Sequence, residues 1–166
     1  MIVVDSSVVA YCWINGPLTA TAQRVRQRDP EWHVPQLWRS EMRSILAGYL
    51  RDGTLGTRQV AEVMAGAEAA FAGREHLVSS DRVFRVIEST SLSAYDAEFV
   101  ALAEALDVPL VTADRQVLKA CPGRARTMVA FASRQPGGAD SPGFRLPYQT
   151  VTEARSTMLG ARPVPL

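Results

Sequence analysis

Four carboxylates carry the chemistry this sequence can do. Asp5 directly follows the apolar, β-branched run IVV, and Asp114 follows VPLVT with one residue between. Glu41 and Asp96 fall in the first turns of segments with helical apolar spacing. In residues 92–106, LSAYDAEFVALAEAL, a projection at about 100° per residue puts Asp96 on the face of Phe99, Val100, Ala103 and Leu106, whereas Glu98 projects from the opposite side. Burying an unpaired charge costs several kcal/mol, so an inward carboxylate must be protonated, partnered, open to water in a cleft, or bound to a cation. Glu41, at the edge of the stripe formed by Trp38 and Ile45, raises the same difficulty. A divalent cation shared among these acids would relieve their mutual repulsion. All-oxygen ligands select hard ions such as Mg²⁺ or Mn²⁺, and His33 and His76 have no carboxylate or Cys at ligand spacing. The chemistry such a site implies is metal-assisted hydrolysis of a phosphodiester. The hydroxyls of Ser7 and Thr112, two residues from Asp5 and Asp114, are placed to orient a carboxylate or a bound water.

Each acid also has a plainer reading. Asp5 and Asp114 suit helix N-caps, Ser93-x-x-Asp96 fits a capping box, and Glu41 favours its helix dipole. Those roles leave the inward angle of Asp96 unexplained, because capping acids usually stay in solvent.

The elements that must position the acids follow from pattern and punctuation. A buried strand at residues 2–4 leads into a helix stopped by Asn15-Gly16-Pro17, and a second helix covers about 18–29. WHVP at 32–35 reads as a strand, and QLWRSEMRSILAGYL as a helix ending near Asp52-Gly53. Residues 57–73 form a helix despite Gly66, which costs roughly 1 kcal/mol relative to Ala. EHLV is a candidate edge strand, 80–91 a weaker helix, and 93–106 a helix carrying Asp96. A strand at 108–112, a short helix from Asp114 to about Ala120, and a last strand, TMVAF at 127–131, complete the order. Alternating strands and helices of these lengths imply an α/β fold with a central, mostly parallel sheet covered on both faces. Groups beyond strand C-termini and at the starts of the following helices gather at one edge of such a sheet, so the four acids can meet.

At 166 residues and 47% hydrophobic content the chain suits one domain with a normal core. Residues 135–143, QPGGADSPG, hold five Gly or Pro in nine positions and read as a linker, dividing the chain into a domain over 1–134 and a tail over 135–166. No apolar run reaches the ~20 residues of a membrane span and no leader precedes IVVD, so a cytoplasmic protein without membrane contact is expected. Cys12 and Cys121 match no metal or disulfide framework and read as buried thiols. The 18 basic and 17 acidic residues nearly cancel; all the basic ones but Lys119 are Arg, which suits phosphate recognition, although GC-rich coding gives the same bias. Trp13, Trp32 and Trp38 read as core or dimer packing rather than stacking platforms.

MIVVDSSVVAYCWIN, HVPQLWRSE and, most specifically, YDAEFVALAEAL-x-x-PLVTAD followed by LKA resemble the PIN-domain ribonucleases, especially VapC-type toxins of bacterial toxin–antitoxin pairs, over about residues 1–132. The resemblance implies a three-layer α/β/α fold and an acidic pocket for Mg²⁺ or Mn²⁺ at Asp5, Glu41, Asp96 and Asp114, with Ser7 and Thr112 as accessory groups. It further implies a homodimer that cuts RNA such as tRNA or rRNA and is neutralised by a VapB-type antitoxin. That antitoxin's C-terminal segment often brings an Arg to the acids. The tail beyond residue 135 is longer than the compact family pattern. Arg39, Arg43 and Arg115 flank the expected pocket and are candidates for phosphate contacts, which position RNA without reading its sequence. Two other readings remain: an aspartyl-nucleophile phosphatase built on Asp5, which normally places a second Asp where this chain has Ser7, and a non-catalytic module using the pocket to hold a basic peptide.

Overall fold

The computed structural model describes residues 1–133; the tail and its linker lie outside the described residues. Five strands form the sheet: β1 (Ile2–Val4), β2 (Trp32–Pro35), β3 (Glu75–His76), β4 (Leu110–Thr112) and β5 (Ala125–Thr127). Every pairing is parallel and the order is β3-β2-β1-β4-β5. Eight helices occur among the described residues: α1 (Ser6–Trp13), α2 (Thr19–Arg28), α3 (Trp38–Arg51), α4 (Thr57–Ala70), α5 (Ser80–Ser89), α6 (Ala94–Ala105), α7 (Arg115–Ala120) and α8 (Met128–Ser133). They cover the sheet in a three-layer α/β/α arrangement, with α6 over β1, β2 and β4, and α1 packed against α2, α3 and α4.

β1 is the centre of the sheet, with Val3 paired to His33 on one side and to Leu110 on the other. Ile2, Val3 and Val4 are buried, as a parallel strand covered on both faces requires. One end of the core is aromatic. Trp32 and Trp38 are wholly buried, Trp13 nearly so, and Phe71 stands 4.9 Å from Trp38 and 6.0 Å from Trp13 between ring centres. The tryptophans are therefore core residues. The edge strand β3 is pinned by side chains as well as by its ladder: His76 lies 2.7 Å from His33 between ring nitrogens, and Glu75 accepts the Trp38 indole N–H at 2.5 Å.

Two expectations change. TMVAF is not a strand: pairing begins at Ala125 and stops at Thr127, whose Oγ1 accepts the backbone N–H of Ala130 at 3.0 Å and turns the chain into α8. A hydroxyl at a helix start outweighs the β preference of the residues that follow. Only one of the two cysteines is fully buried. The Cys12 thiol is pushed up to about 11 by burial, whereas Cys121 is half-buried; both are free.

Between α6 and β4 the turn depends on Asp107, at a φ of 51°. Val108 N–H bonds Ala103 C=O at 3.0 Å, closing the helix end in the Schellman manner and aiming the chain straight into β4. This short connection sets the separation of Asp96 from Asp114.

Candidate acidic active site

The sheet order reverses at β1 and β4: the chain passes from β1 outward through β2 to β3, and β4 returns to the other side of β1. A crevice opens at such a switch point, beyond the strand C-termini. Asp5 leaves β1 there and caps α1, its Oδ1 accepting Val8 N–H at 2.9 Å. Asp114 leaves β4 and caps α7, its Oδ1 accepting the N–H groups of Gln116 at 2.5 Å and Val117 at 3.1 Å. Glu41 lies in the first turn of α3 and Asp96 in that of α6. All four line one pocket of about 400 Å³, together with Ser6, Ser7, Ser44, Tyr95, Thr112 and an apolar wall that includes Ile45, Phe99, Leu110 and Val117.

The hydroxyls organise Asp5. Ser7 Oγ donates to Oδ1 at 2.6 Å, Thr112 Oγ1 donates to Oδ2, and Ala113 N–H adds a bond to Oδ2 at 3.3 Å. Thr112 Oγ1 also accepts Asp114 N–H at 2.9 Å, so one buried hydroxyl fixes both strand-end acids. Ser93 caps α6, accepting Asp96 N–H at 3.2 Å and donating to Asp96 Oδ2 at 2.6 Å. Capping and inward placement thus coexist, because a helix that begins at the sheet edge points its cap into the crevice.

The acids also feel one another. Burial pushes the Asp5 carboxyl above the usual range, against the pull of its four hydrogen bonds. Glu41 is raised chiefly by burial and further by the charges of Asp5, Asp96 and Glu98. Ser6, buried in the same wall, favours the charged form of Glu41, although its hydroxyl closes no hydrogen bond of good geometry.

Glu98 corrects the helical projection. It is half-buried, its own carboxyl is raised by burial, and it stands near enough to repel Glu41. Ala97 and Phe99 to Ala103 are all buried, so α6 has no broad solvent face for Glu98 to occupy. Ser6 and Glu98 are the polar neighbours of Glu41 that sequence patterning misses. Ser6 sits beside the quoted Asp5 but carries no spacing signal, and the projection of Glu98 points away.

Among the arginines, Arg39 does not reach the pocket. It is held by Glu75 at 2.8 Å and by Glu68, and its guanidinium lies over the Trp38 ring. Those ion pairs anchor the start of α3 to β3 and α4. Arg43 and Arg115 are exposed near Glu41 and Asp114 but outside the pocket lining. Among the described residues, no Lys, Arg or His lines the pocket.

A family model described as PIN domain matches residues 2–121. The chain belongs to the PIN domain family. PIN domains are in general nuclease modules and typically use divalent metals. The crystal structure of PAE2754 from Pyrobaculum aerophilum resembles this PIN domain with a TM-score of 0.62 and 22% identity, covering 80% of this chain and 97% of that one. At that identity the likeness speaks for the shared fold. No curated protein matches the sequence.

For a divalent ion, the site of this PIN domain fits in kind. Its donors are carboxylate and hydroxyl oxygens, and burial opposes the ionisation of Asp5 while burial and neighbouring acids oppose that of Glu41. Among the described residues, however, no three His, Cys, Asp or Glu side chains stand close enough to enclose an ion as they lie. Holding one requires these side chains to draw closer together than they stand.

Proposed function

We propose that this PIN domain is a Mg²⁺- or Mn²⁺-dependent endoribonuclease, the VapC-type toxin of a pair, cutting RNA such as tRNA or rRNA until a VapB-type antitoxin blocks it. The observation that carries the reading is the convergence of Asp5, Glu41, Asp96 and Asp114 on one pocket at the switch point of the sheet. These four are the residues that would hold the ion, and a divalent cation bound there supplies Lewis acidity toward the phosphate.

The remaining work falls to the chain. Ser7 and Thr112 fix the rotation of the Asp5 carboxylate, holding it at the end of β1 beside Asp114. Glu41, whose ionisation is the most opposed by neighbouring acids, is the group best suited to take a proton from the attacking water. Ile45, Phe99, Leu110 and Val117 limit water at the site and so strengthen electrostatic contacts inside it. A pocket lined by acids and by no cation among the described residues also suits an inhibitory basic side chain from an antitoxin. Action as a homodimer and in the cytoplasm belongs to the same reading. Among the described residues, no helix is long and apolar enough to cross a membrane.

One observation favours a second reading. Asp5 and Asp114 each cap a helix with their own side chains, and Asp96 is bonded to the cap residue Ser93, roles that a non-catalytic peptide-binding module would need and nothing more. RNA cleavage separates the two. Purified full-length protein free of antitoxin should cut RNA with Mg²⁺ or Mn²⁺ and stop when the ion is chelated. Asp5→Asn and Asp96→Asn should each lower the rate by more than the roughly 10–100-fold typical of residues one step removed from a metal, with circular dichroism unchanged. Asn variants as fast as wild type would sink the nuclease reading. A wild type that cuts nothing but binds an Arg-containing peptide would replace it with the second.

A further inference from the structure

The pocket must hold a polyanion with acids at its base and, among the described residues, no cation in its lining. Arg43 and Arg115 stand exposed outside the lining, so within the pocket itself contacts to RNA have to come from groups that do not depend on phosphate charge. The lining offers one group of that kind at the mouth. Tyr95 is 63% exposed, lines the same pocket, and directly precedes Asp96. It occupies the second position of α6, whose start is fixed by the Ser93 cap, so the ring is carried on a rigid base.

Neither folding nor capping accounts for an aromatic residue there. Its ring lies outside the buried core, while the next residues toward the sheet, Ala97 and Phe99, are fully or nearly fully buried. A flat, solvent-facing ring beside the candidate phosphate site is the geometry on which an unstacked base rests. Trp13, Trp32 and Trp38 are enclosed and cannot serve, and Tyr11, close enough to feel the charge of Asp5, packs against the core and does not line the pocket.

We propose that Tyr95 is a stacking platform that seats the nucleobase next to the scissile phosphate and thereby selects single-stranded over paired RNA. The proposal rests on the nuclease reading for its substrate class. A base paired in a helix has both faces covered by its neighbours and cannot lie on the ring, whereas a loop or single strand can turn one base onto it. Stacking is sequence-tolerant, so Tyr95 selects strandedness and leaves base identity to other contacts.

The experiment uses the full chain and a fluorescein-labelled single-stranded oligoribonucleotide of about ten nucleotides, within the range a short binding groove spans. Binding is followed by anisotropy with Ca²⁺ and cleavage by single-turnover kinetics with Mn²⁺. Tyr95→Ala should weaken single-strand binding about tenfold and raise the half-saturating concentration by a similar factor, leaving the maximal rate within about twofold. Tyr95→Phe keeps the ring and should behave as wild type. Removing the base beside the cleaved bond should weaken wild type by the same factor and Tyr95→Ala no further. The salt dependence of binding should be unchanged, since stacking displaces no counterions.

Tyr95→Ala binding as tightly as wild type, an equal loss on duplex RNA, or additive losses with the abasic substrate would each overturn the platform. So would a wild type that binds no single-stranded RNA, or one that binds only single-stranded DNA. If wild type cuts nothing yet the binding losses appear as stated, the platform stands and the catalytic reading falls. If wild type cuts RNA and Tyr95→Ala is indistinguishable from it, the catalytic reading stands and the platform falls.

Discussion

At the scale of single residues the site holds two acids whose ionisation its surroundings oppose, a cost that a cation would relieve on the nuclease reading. Burial raises the Asp5 carboxyl, and burial with the charges of Asp5, Asp96 and Glu98 raises Glu41. Between the ordinary carboxylate range and these raised values the folded protein binds more protons than the unfolded chain, so stability falls as pH rises across that window. Above it the destabilisation is complete, and below it both states are protonated and the effect disappears. On the nuclease reading a divalent cation would take the protons' place. Without divalent ions, these two acids should therefore lower the melting temperature as pH rises above the ordinary carboxylate range, against the opposite pull of His76, whose lowered pKa favours the fold as pH rises toward the ordinary imidazole range. Mn²⁺ should raise the melting temperature, and more at neutral pH than at acid pH. Asp5→Asn should flatten the pH slope by removing one of the two titrating groups. Scanning calorimetry across pH, with and without Mn²⁺, decides this; a Mn²⁺ effect that grows toward acid pH would contradict the exchange of protons for the ion.

Between elements, the contact of α1 with α4 shows how one small residue admits an aromatic core. Gly66 is interior to α4, where Ala would be favoured by about 1 kcal/mol. A Cβ at this position would stand 3.3 Å from Trp13 Nε1 and 3.7 Å from Cδ1. The indole has little room to retreat, being packed against Trp32 and Phe71 and under the Arg26 guanidinium. Gly66→Ala should thus be near neutral, its helical gain offset by crowding, whereas Gly66→Leu should destabilise by about 1–3 kcal/mol through overpacking. Urea unfolding measures both, and a Leu variant as stable as wild type would show that α4 does not depend on this close approach. Because α1 also carries Asp5 at its start, the same crowding bears on the site.

At the scale of the whole molecule, we propose the division expected from the sequence, a domain over residues 1–134 that contains the family match at 2–121, followed by a tail. Within the domain, α8 closes back on α2, where Arg28 donates to the Phe131 carbonyl, so the last described helix is part of the packed unit. A fragment of residues 1–134 should unfold in one cooperative transition within about 4 °C of the full chain, the shift that roughly 1 kcal/mol produces in a domain of this size. A larger drop, or a broadened transition, would show that residues 135–166 belong to the folding unit.

The sequence by itself determined which elements form and most of what buries them. Period-two and period-3.6 apolar patterns, caps and glycines are local signals, and they place β1, α3, α6 and the acids at their ends. The final strand escaped, because whether TMVAF continues a ladder depends on how far Leu110 to Thr112 can pair with it and on the Thr127 cap. Only the tertiary structure decided the strand order that brings Asp5 and Asp114 to the same crevice, the diversion of Arg39 to Glu68 and Glu75, and the approach of Glu98 to Glu41. Those outcomes depend on which element lies beside which. Helical projection describes one cylinder in isolation, and α6 is enclosed around most of its circumference by neighbours the projection does not contain.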